Sequence, residues 1–227
     1  MKRLCTSISL GLLFCTLMLT GCASPNLISF PSTDAGVVYA DQYGSGDQTL
    51  VLAHGMVFNK ESWATQAQAF ADAGFKVLAI DFRGRGQSQG PNNESNNEDA
   101  HHDVLGAVNY LREHGAKTVS VVGASFGGWA ASTAAVSAPG SIDRIVLLAS
   151  AVDEPEKLTG RKLFILARDD GRTDTGSRLE RVQREFDATS EPKELVILEG
   201  SAHAQFLFET DQGDQLMAEM IRFLTAP

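Results

Sequence analysis

Gly123-Ala124-Ser125-Phe126-Gly127 sets a serine between two glycines in the spacing G-x-S-x-G, directly after an apolar run (118–122) and directly before a stretch rich in small residues. At a strand-to-helix junction the flanking Gly123 and Gly127 leave room for a sharp, strained turn that lifts the hydroxyl to a helix N-terminus. A serine hydroxyl is a weak nucleophile at neutral pH; attack on a carbonyl needs a base within hydrogen-bond reach and a third group to orient that base. His203 is the candidate base. It closes Glu199-Gly200-Ser201-Ala202-His203, between the last apolar run and the final helix. The orienting carboxylate is Asp169 or Asp170, both following the run at 162–167. Acyl transfer also needs N–H donors for the developing oxyanion. The amide of Phe126 is one candidate. The other is the amide of Met56 in His54-Gly55-Met56, where Gly55 lets the backbone turn inward and His54 braces the loop without taking a proton.

Other residues carry less chemistry. His101, His102 and His114 fall within an amphipathic helix and read as surface or packing residues. No metal is expected at His101-His102-Asp103, because adjacent helical side chains point to different faces and no further ligand spacing supports a site. Gly84 to Gly86 is not a dinucleotide fingerprint, since no helix opens there and the third glycine is misplaced. No cofactor is implied.

These residues must be held by alternating elements. Short apolar runs at 37–40, 49–53, 76–80, 118–122, 143–149, 162–167 and 194–198 predict strands, four of them near-continuous enough to be buried on both faces of a parallel sheet. Helices are predicted at 61–73, 98–114, 126–138 and 212–224, the first three stopped by Gly74, Gly115 and Pro139-Gly140. Residues 92–99 read as a solvated loop. The pattern is α/β, a doubly wound, mostly parallel sheet, and residues 36–227 suffice for one well-filled core.

Lys2 and Arg3 precede an apolar run at 4–19, too short to span a bilayer comfortably and laid out as a secretory signal. Leu19-Thr20-Gly21-Cys22 resembles the lipobox of bacterial lipoproteins, which implies cleavage after residue 21 and a diacylglyceryl group on Cys22. Residues 22–35 then form a lipidated tether, whose acyl chains, at about 0.8 kcal/mol per buried CH₂, hold the protein on a membrane of the cell envelope. Ala23 stands where an aspartate would signal inner-membrane retention, which leans toward the outer membrane. Cys5 and Cys15 leave with the signal, so the mature chain has no disulfide framework. Loss of Lys2 and Arg3 takes the net charge from −9 to −11, which argues against nucleic acid and against an electrostatic membrane patch.

Four motifs together resemble the α/β-hydrolase superfamily over the whole mature chain: His54-Gly55, Asp81-Phe82-Arg83-Gly84-Arg85-Gly86-Gln87-Ser88, the turn at Ser125, and Gly200 to His203. The order serine, aspartate, histidine fits that family. The resemblance implies Ser125 as nucleophile and His203 as base. In relatives the acid stands three residues past a glycine that ends its strand. Ala167 holds that glycine's place here, which makes Asp170 the match and keeps Asp169 as the alternative. Many relatives insert a helical cap after the sixth strand, for which residues 150–161 leave no room, so a capless, open site is expected. Phe58, Phe126, Trp129 and Phe206 are candidates for its mouth, although each also reads as core. The implied substrate is a small-molecule carboxylic ester. A peptidase, thioesterase or perhydrolase could use the same groups, and a binding lipoprotein of the envelope could use the same scaffold.

Overall fold

The computed structural model describes residues 25–173 and 176–226, so the expected signal segment and the expected lipidation site Cys22 lie outside the described residues. In chain order the elements are β1 (Asn26–Pro31), β2 (Val37–Tyr43), β3 (Gln48–Ala53), α1 (Ala64–Asp72), β4 (Phe75–Ile80), α2 (His101–Glu113), β5 (Val119–Ala124), α3 (Phe126–Ser137), β6 (Arg144–Leu148), β7 (Arg161–Ala167), β8 (Arg172–Thr173), β9 (Gly176–Ser177), α4 (Arg178–Ala188), β10 (Lys193–Leu198) and α5 (Gly213–Thr225). Eight strands form one sheet in the order β1-β2-β4-β3-β5-β6-β7-β10, and β8 and β9 pair as a separate antiparallel hairpin. From β4 to β10 across the sheet all pairs are parallel; β1 and β2 add an antiparallel flank.

Burial explains the composition of the strands. Leu50, Val51, Leu52 and Ala53 of β3, Val119, Val121 and Val122 of β5, and Leu163 to Ala167 of β7 are covered on both faces, so no polar alternation survives in them. α3 packs on β5 and β6 and against α2. Its Ala130, Ala131, Ala134 and Ala135 are buried small residues that bring the helix close to the sheet. Parallel register ends β3, β5, β7 and β10 at one carboxyl edge, where Ala53 pairs with Gly123 and Ala167 with Leu198. Loops leaving that edge carry the candidate site, as open α/β sheets require.

Three local readings differ from the sequence expectation. Residues 26–31, read as part of a tether, form the outermost strand β1. Phe30 is buried against Tyr110, with ring centroids 5.0 Å apart, and Pro31 ends an edge strand, the place where a missing N–H is tolerated. The proline and serine content of the segment masks this alternation. α4 has no counterpart among the expected helices, because its polar sequence buries one residue, Val182, and packs only Leu179 and Phe186 on the core. Residues 92–99 contain two short 3₁₀ turns, Pro91–Asn93 and Asn97–Asp99, and α1 is likewise preceded by one at Lys60–Trp63.

Candidate active site

Ser125 sits between β5 and α3 with φ 50° and ψ −112°, a conformation that side chains rarely adopt. Close backbone approach imposes the glycines around it. A Cβ on Gly123 would lie 2.5 Å from the Gly127 carbonyl oxygen, and one on Gly127 would lie 2.2 Å from that of Ala53. At Gly128 a Cβ would lie 2.5 Å from the Ser150 side chain and 2.9 Å from the Gly123 carbonyl oxygen. The Ser125 amide donates to the Leu148 carbonyl at 2.8 Å, and the Ser150 hydroxyl donates to the Ser125 carbonyl at 3.0 Å, which holds the turn from both sides.

The structure brings Ser125, His203 and Asp170 together. Ser125 Oγ is 2.8 Å from His203 Nε2, and His203 Nδ1 is 2.8 Å from Asp170 Oδ2. With Asp170 ionised, the Nδ1 hydrogen faces the carboxylate and Nε2 is left to accept the serine hydroxyl. Asp170, not Asp169, occupies this position. Asp170 is buried, whereas Asp169 is exposed and its amide donates to the Gly200 carbonyl. On the other side of the carboxylate, Arg178 Nε approaches Asp170 Oδ1 to 3.2 Å.

The loop after β3 is held by contacts that sequence spacing does not reveal. Gln205 Oε1 accepts from the Gly55 amide at 2.8 Å while its Nε2 donates to Ser62 Oγ at 2.8 Å. Arg85 donates to the Met56 carbonyl at 2.9 Å. The amides of Met56 and Phe126 have no acceptor among the described residues; for Phe126 this follows from its place as the first residue of α3. A Cβ on Gly55 would find its nearest neighbours at 3.3 to 3.6 Å, so this loop does not demand glycine as strictly as the turn at Ser125 does.

His54 is buried. Its Nδ1 donates to the Gly55 carbonyl at 2.8 Å and its Nε2 accepts from the Phe82 amide at 3.3 Å, the pattern of a neutral ring. Burial pushes its imidazole down to about 4.

The Asp81 to Ser88 turn braces the same edge. Asp81 accepts from the Lys60 amide at 2.8 Å. Arg83, fully buried, is clasped by Asp103 and Asp34, the latter from the segment read as tether. Burial and the paired carboxylates pull the Arg83 guanidinium in opposite directions; the two partners prevail and hold it above its ordinary value.

Met56, Val57, Phe58 and Phe206 line an open cleft of about 230 Å³ that reaches Ser125 and His203. Met56, Val57 and Phe206 are 40%, 80% and 43% exposed and form an apolar rim. Phe58 and Phe206 face each other across 5.1 Å. Phe126 and Trp129 instead pack against the core, with the Trp129 indole donating to Asp153 at 2.7 Å. The β6 to β7 connection holds only a 3₁₀ turn, Pro155–Lys157, so no cap is inserted there. Away from the cleft, His102 bonds Thr33 and His114 bonds the Tyr110 carbonyl. The His101 and His102 rings lie 4.1 Å apart rather than on separate faces. Among the described residues no three His, Cys, Asp or Glu side chains gather as metal ligands.

Residues 48–210 match the model of the alpha/beta hydrolase fold family. A 2-hydroxy-6-oxononadienedioate/2-hydroxy-6-oxononatrienedioate hydrolase of Paraburkholderia phymatum is 33% identical over 128 residues, covering 55% of this chain and 43% of that protein. The chain therefore spans less than half the length of that relative. Among solved structures, an esterase of Pyrococcus furiosus is similar with a TM-score of 0.74 at 16% identity, over 88% of this chain and 90% of that one. A meta-cleavage product hydrolase from Pseudomonas fluorescens is similar at 0.71 and 16%, over 86% and 96%. At these identities the two structures establish likeness of fold.

Proposed function

Because the chain belongs to the alpha/beta hydrolase fold family, we propose that it is a serine hydrolase that cleaves carboxylic esters through an acyl-enzyme on Ser125. The observation that carries this reading is the hydrogen-bonded chain Ser125, His203, Asp170, with both links at 2.8 Å. In this mechanism Ser125 Oγ attacks the ester carbonyl while His203 Nε2 takes its proton. Asp170 keeps the imidazole in the required tautomer and stabilises the imidazolium. The amides of Met56 and Phe126 receive the oxyanion, collapse expels the alcohol with the proton returned by His203, and water repeats the sequence to release the acid. The Met56 and Phe126 amides, which have no acceptor among the described residues, support that assignment.

The cleft supports an apolar acyl group. Its volume, about 230 Å³, lies below the roughly 300–1,000 Å³ of ordinary ligand pockets and suits a short chain seated between Phe58 and Phe206. The Paraburkholderia relative's name describes a dianionic substrate. The lining here carries no lysine or arginine, which favours a neutral ester. A lipid on Cys22 belongs to the same proposal. Cys22 lies four residues, at most about 14 Å of chain, before β1, and β1 is four strands from the β5 that carries Ser125. The anchor thus ties the domain to an envelope membrane by the flank of its sheet and leaves the cleft free.

The test is hydrolysis of p-nitrophenyl esters from acetyl to palmitoyl by the full chain in detergent, beside Ser125→Ala. Turnover that depends on Ser125 and falls beyond short acyl chains is expected. Turnover unchanged in Ser125→Ala sinks the triad, and none at any length moves the reading toward a peptidase or a binding protein.

A further inference from the structure

We infer that Arg178 is a positioning residue of this site: its cation, on the far side of the Asp170 carboxylate from His203, sets how low in pH His203 remains a neutral base. The inference rests on the triad reading above. Asp170 divides its two oxygens, giving Oδ2 to His203 Nδ1 at 2.8 Å and Oδ1 to Arg178 Nε at 3.2 Å. The Asp170 side chain is only 3% exposed and that of Arg178 20%, so salt and water screen the pair weakly. Arg178 Nε satisfies the distance of an ion pair but has no hydrogen-bond partner among the described residues, because its N–H is not aimed at the carboxylate. Its influence is therefore that of a charge. An imidazole beside a lone carboxylate gains its full stabilisation on protonation; a fixed cation behind the same carboxylate removes part of that gain and keeps the ring neutral to lower pH.

The placement of Arg178 is built into the fold. It opens α4, where Ser177 Oγ caps the helix by accepting from the Glu180 amide, and Val182 anchors the next turn in the core. Neighbouring charges are engaged elsewhere. Arg181, one turn on, pairs with Glu185 at 3.3 Å. Arg184 also acts on Glu185, and Asp153 takes the Trp129 indole. Arg168 pairs with Glu199 at 2.9 Å, and Asp169 is exposed. Among the described residues, Arg178 is the cation paired with Asp170, and His203 is its imidazole partner.

The experiment is the pH dependence of kcat/KM on a short p-nitrophenyl ester, for the full chain and for Arg178→Gln, Arg178→Met and Arg178→Lys, with Arg181→Gln as a control that removes the same charge from the same helix. The expected result is an acid limb raised by about 0.5 to 1 pH unit in the Gln and Met variants, restored in Lys and unmoved in Arg181→Gln. An unmoved limb with activity lowered evenly across pH assigns Arg178 to bracing and overturns the inference. So does an equal shift in Arg181→Gln, or loss of fold in both neutral variants by circular dichroism. Failure of the triad itself appears separately, as Ser125-independent turnover.

Discussion

Gln205→Leu tests whether the loop proposed to receive the oxyanion is held in place from the opposite end of the chain. Gln205 is buried, and its side chain joins the Gly55 amide to Ser62, two 2.8 Å hydrogen bonds between segments 143 and 150 residues apart in sequence. Leucine fills the same space and accepts nothing, so the Gly55 N–H is left buried without a partner, a penalty of about 1–3 kcal/mol. The Ser62 side costs less, because Ser62 is only half-buried and its hydroxyl also donates to the Asn59 carbonyl. If the loop stays rigid, the penalty appears as stability, a fall in Tm of about 2–12 °C for a chain of this length. If the loop shifts to let water reach Gly55, the Met56 amide leaves its position and kcat falls, by up to about 10²–10³-fold for one oxyanion donor. Either way the loss is coupled, and Ser62→Ala should reproduce only a small part of it. Thermal unfolding and kcat on a p-nitrophenyl ester read the two arms. A Gln205→Leu variant with Tm within 1 °C and kcat within twofold of the parent would refute the claim that this contact positions the loop.

Three further outcomes follow from the same geometry. The conformation of Ser125 stores roughly 1–3 kcal/mol of strain, so Ser125→Gly should abolish turnover and unfold at higher temperature than Ser125→Ala; equal melting of the two inactive variants would show that the turn is unstrained. Gly127→Ala drives a methyl to 2.2 Å from the Ala53 carbonyl oxygen, against Ala53–His54 backbone with no flexible side chain to yield. It should cost several kcal/mol, read by urea unfolding, and a midpoint unchanged from the parent would contradict that close approach. His54 is held neutral down to about 4 by burial, against about 6.5 in the unfolded chain. Between those values the unfolded chain binds a proton that the native state refuses. The stability this group contributes is therefore full above pH 6.5 and is lost as pH falls through 4, roughly 3 kcal/mol in all. His54→Asn should lose less stability than the parent between pH 7 and 4.5 in urea titrations, and parallel losses would assign the acid sensitivity to other groups.

Much of the fold is legible in the sequence because the central strands must be apolar on both faces. Runs such as Leu50 to Ala53 and Leu163 to Ala167 have no other use in a chain of this size. The edges are less legible for the same reason. β1 is mostly exposed and gains its place by backbone pairing to β2 and by packing Ile28 and Phe30 on the core, so its composition still looks like a linker. α4 keeps a helical period in Leu179, Val182 and Phe186, but so few apolar residues in a polar stretch mark it faintly.

Within the site, legibility follows how narrowly each position constrains the residue. Gly123, Gly127 and Gly128 admit no side chain, and Ser125 and His203 need their own functional groups, so spacing alone marks them. Asp170 is favoured over Asp169 in the sequence by the resemblance's spacing from Ala167 alone; which of the two side chains turns inward is a fact of the loop after β7 and not of residue type. Gln205, Arg85 and Arg178 are harder still. Each meets its partner through topology, and another polar side chain of similar reach would serve Gly55 or the Met56 carbonyl equally well. A pattern that tolerates substitutes leaves no signature in one sequence. The groups to which the proposal gives the chemistry are therefore readable from spacing, while those proposed to tune its geometry and its pH range emerge only when the sheet brings the two ends of the chain to one edge.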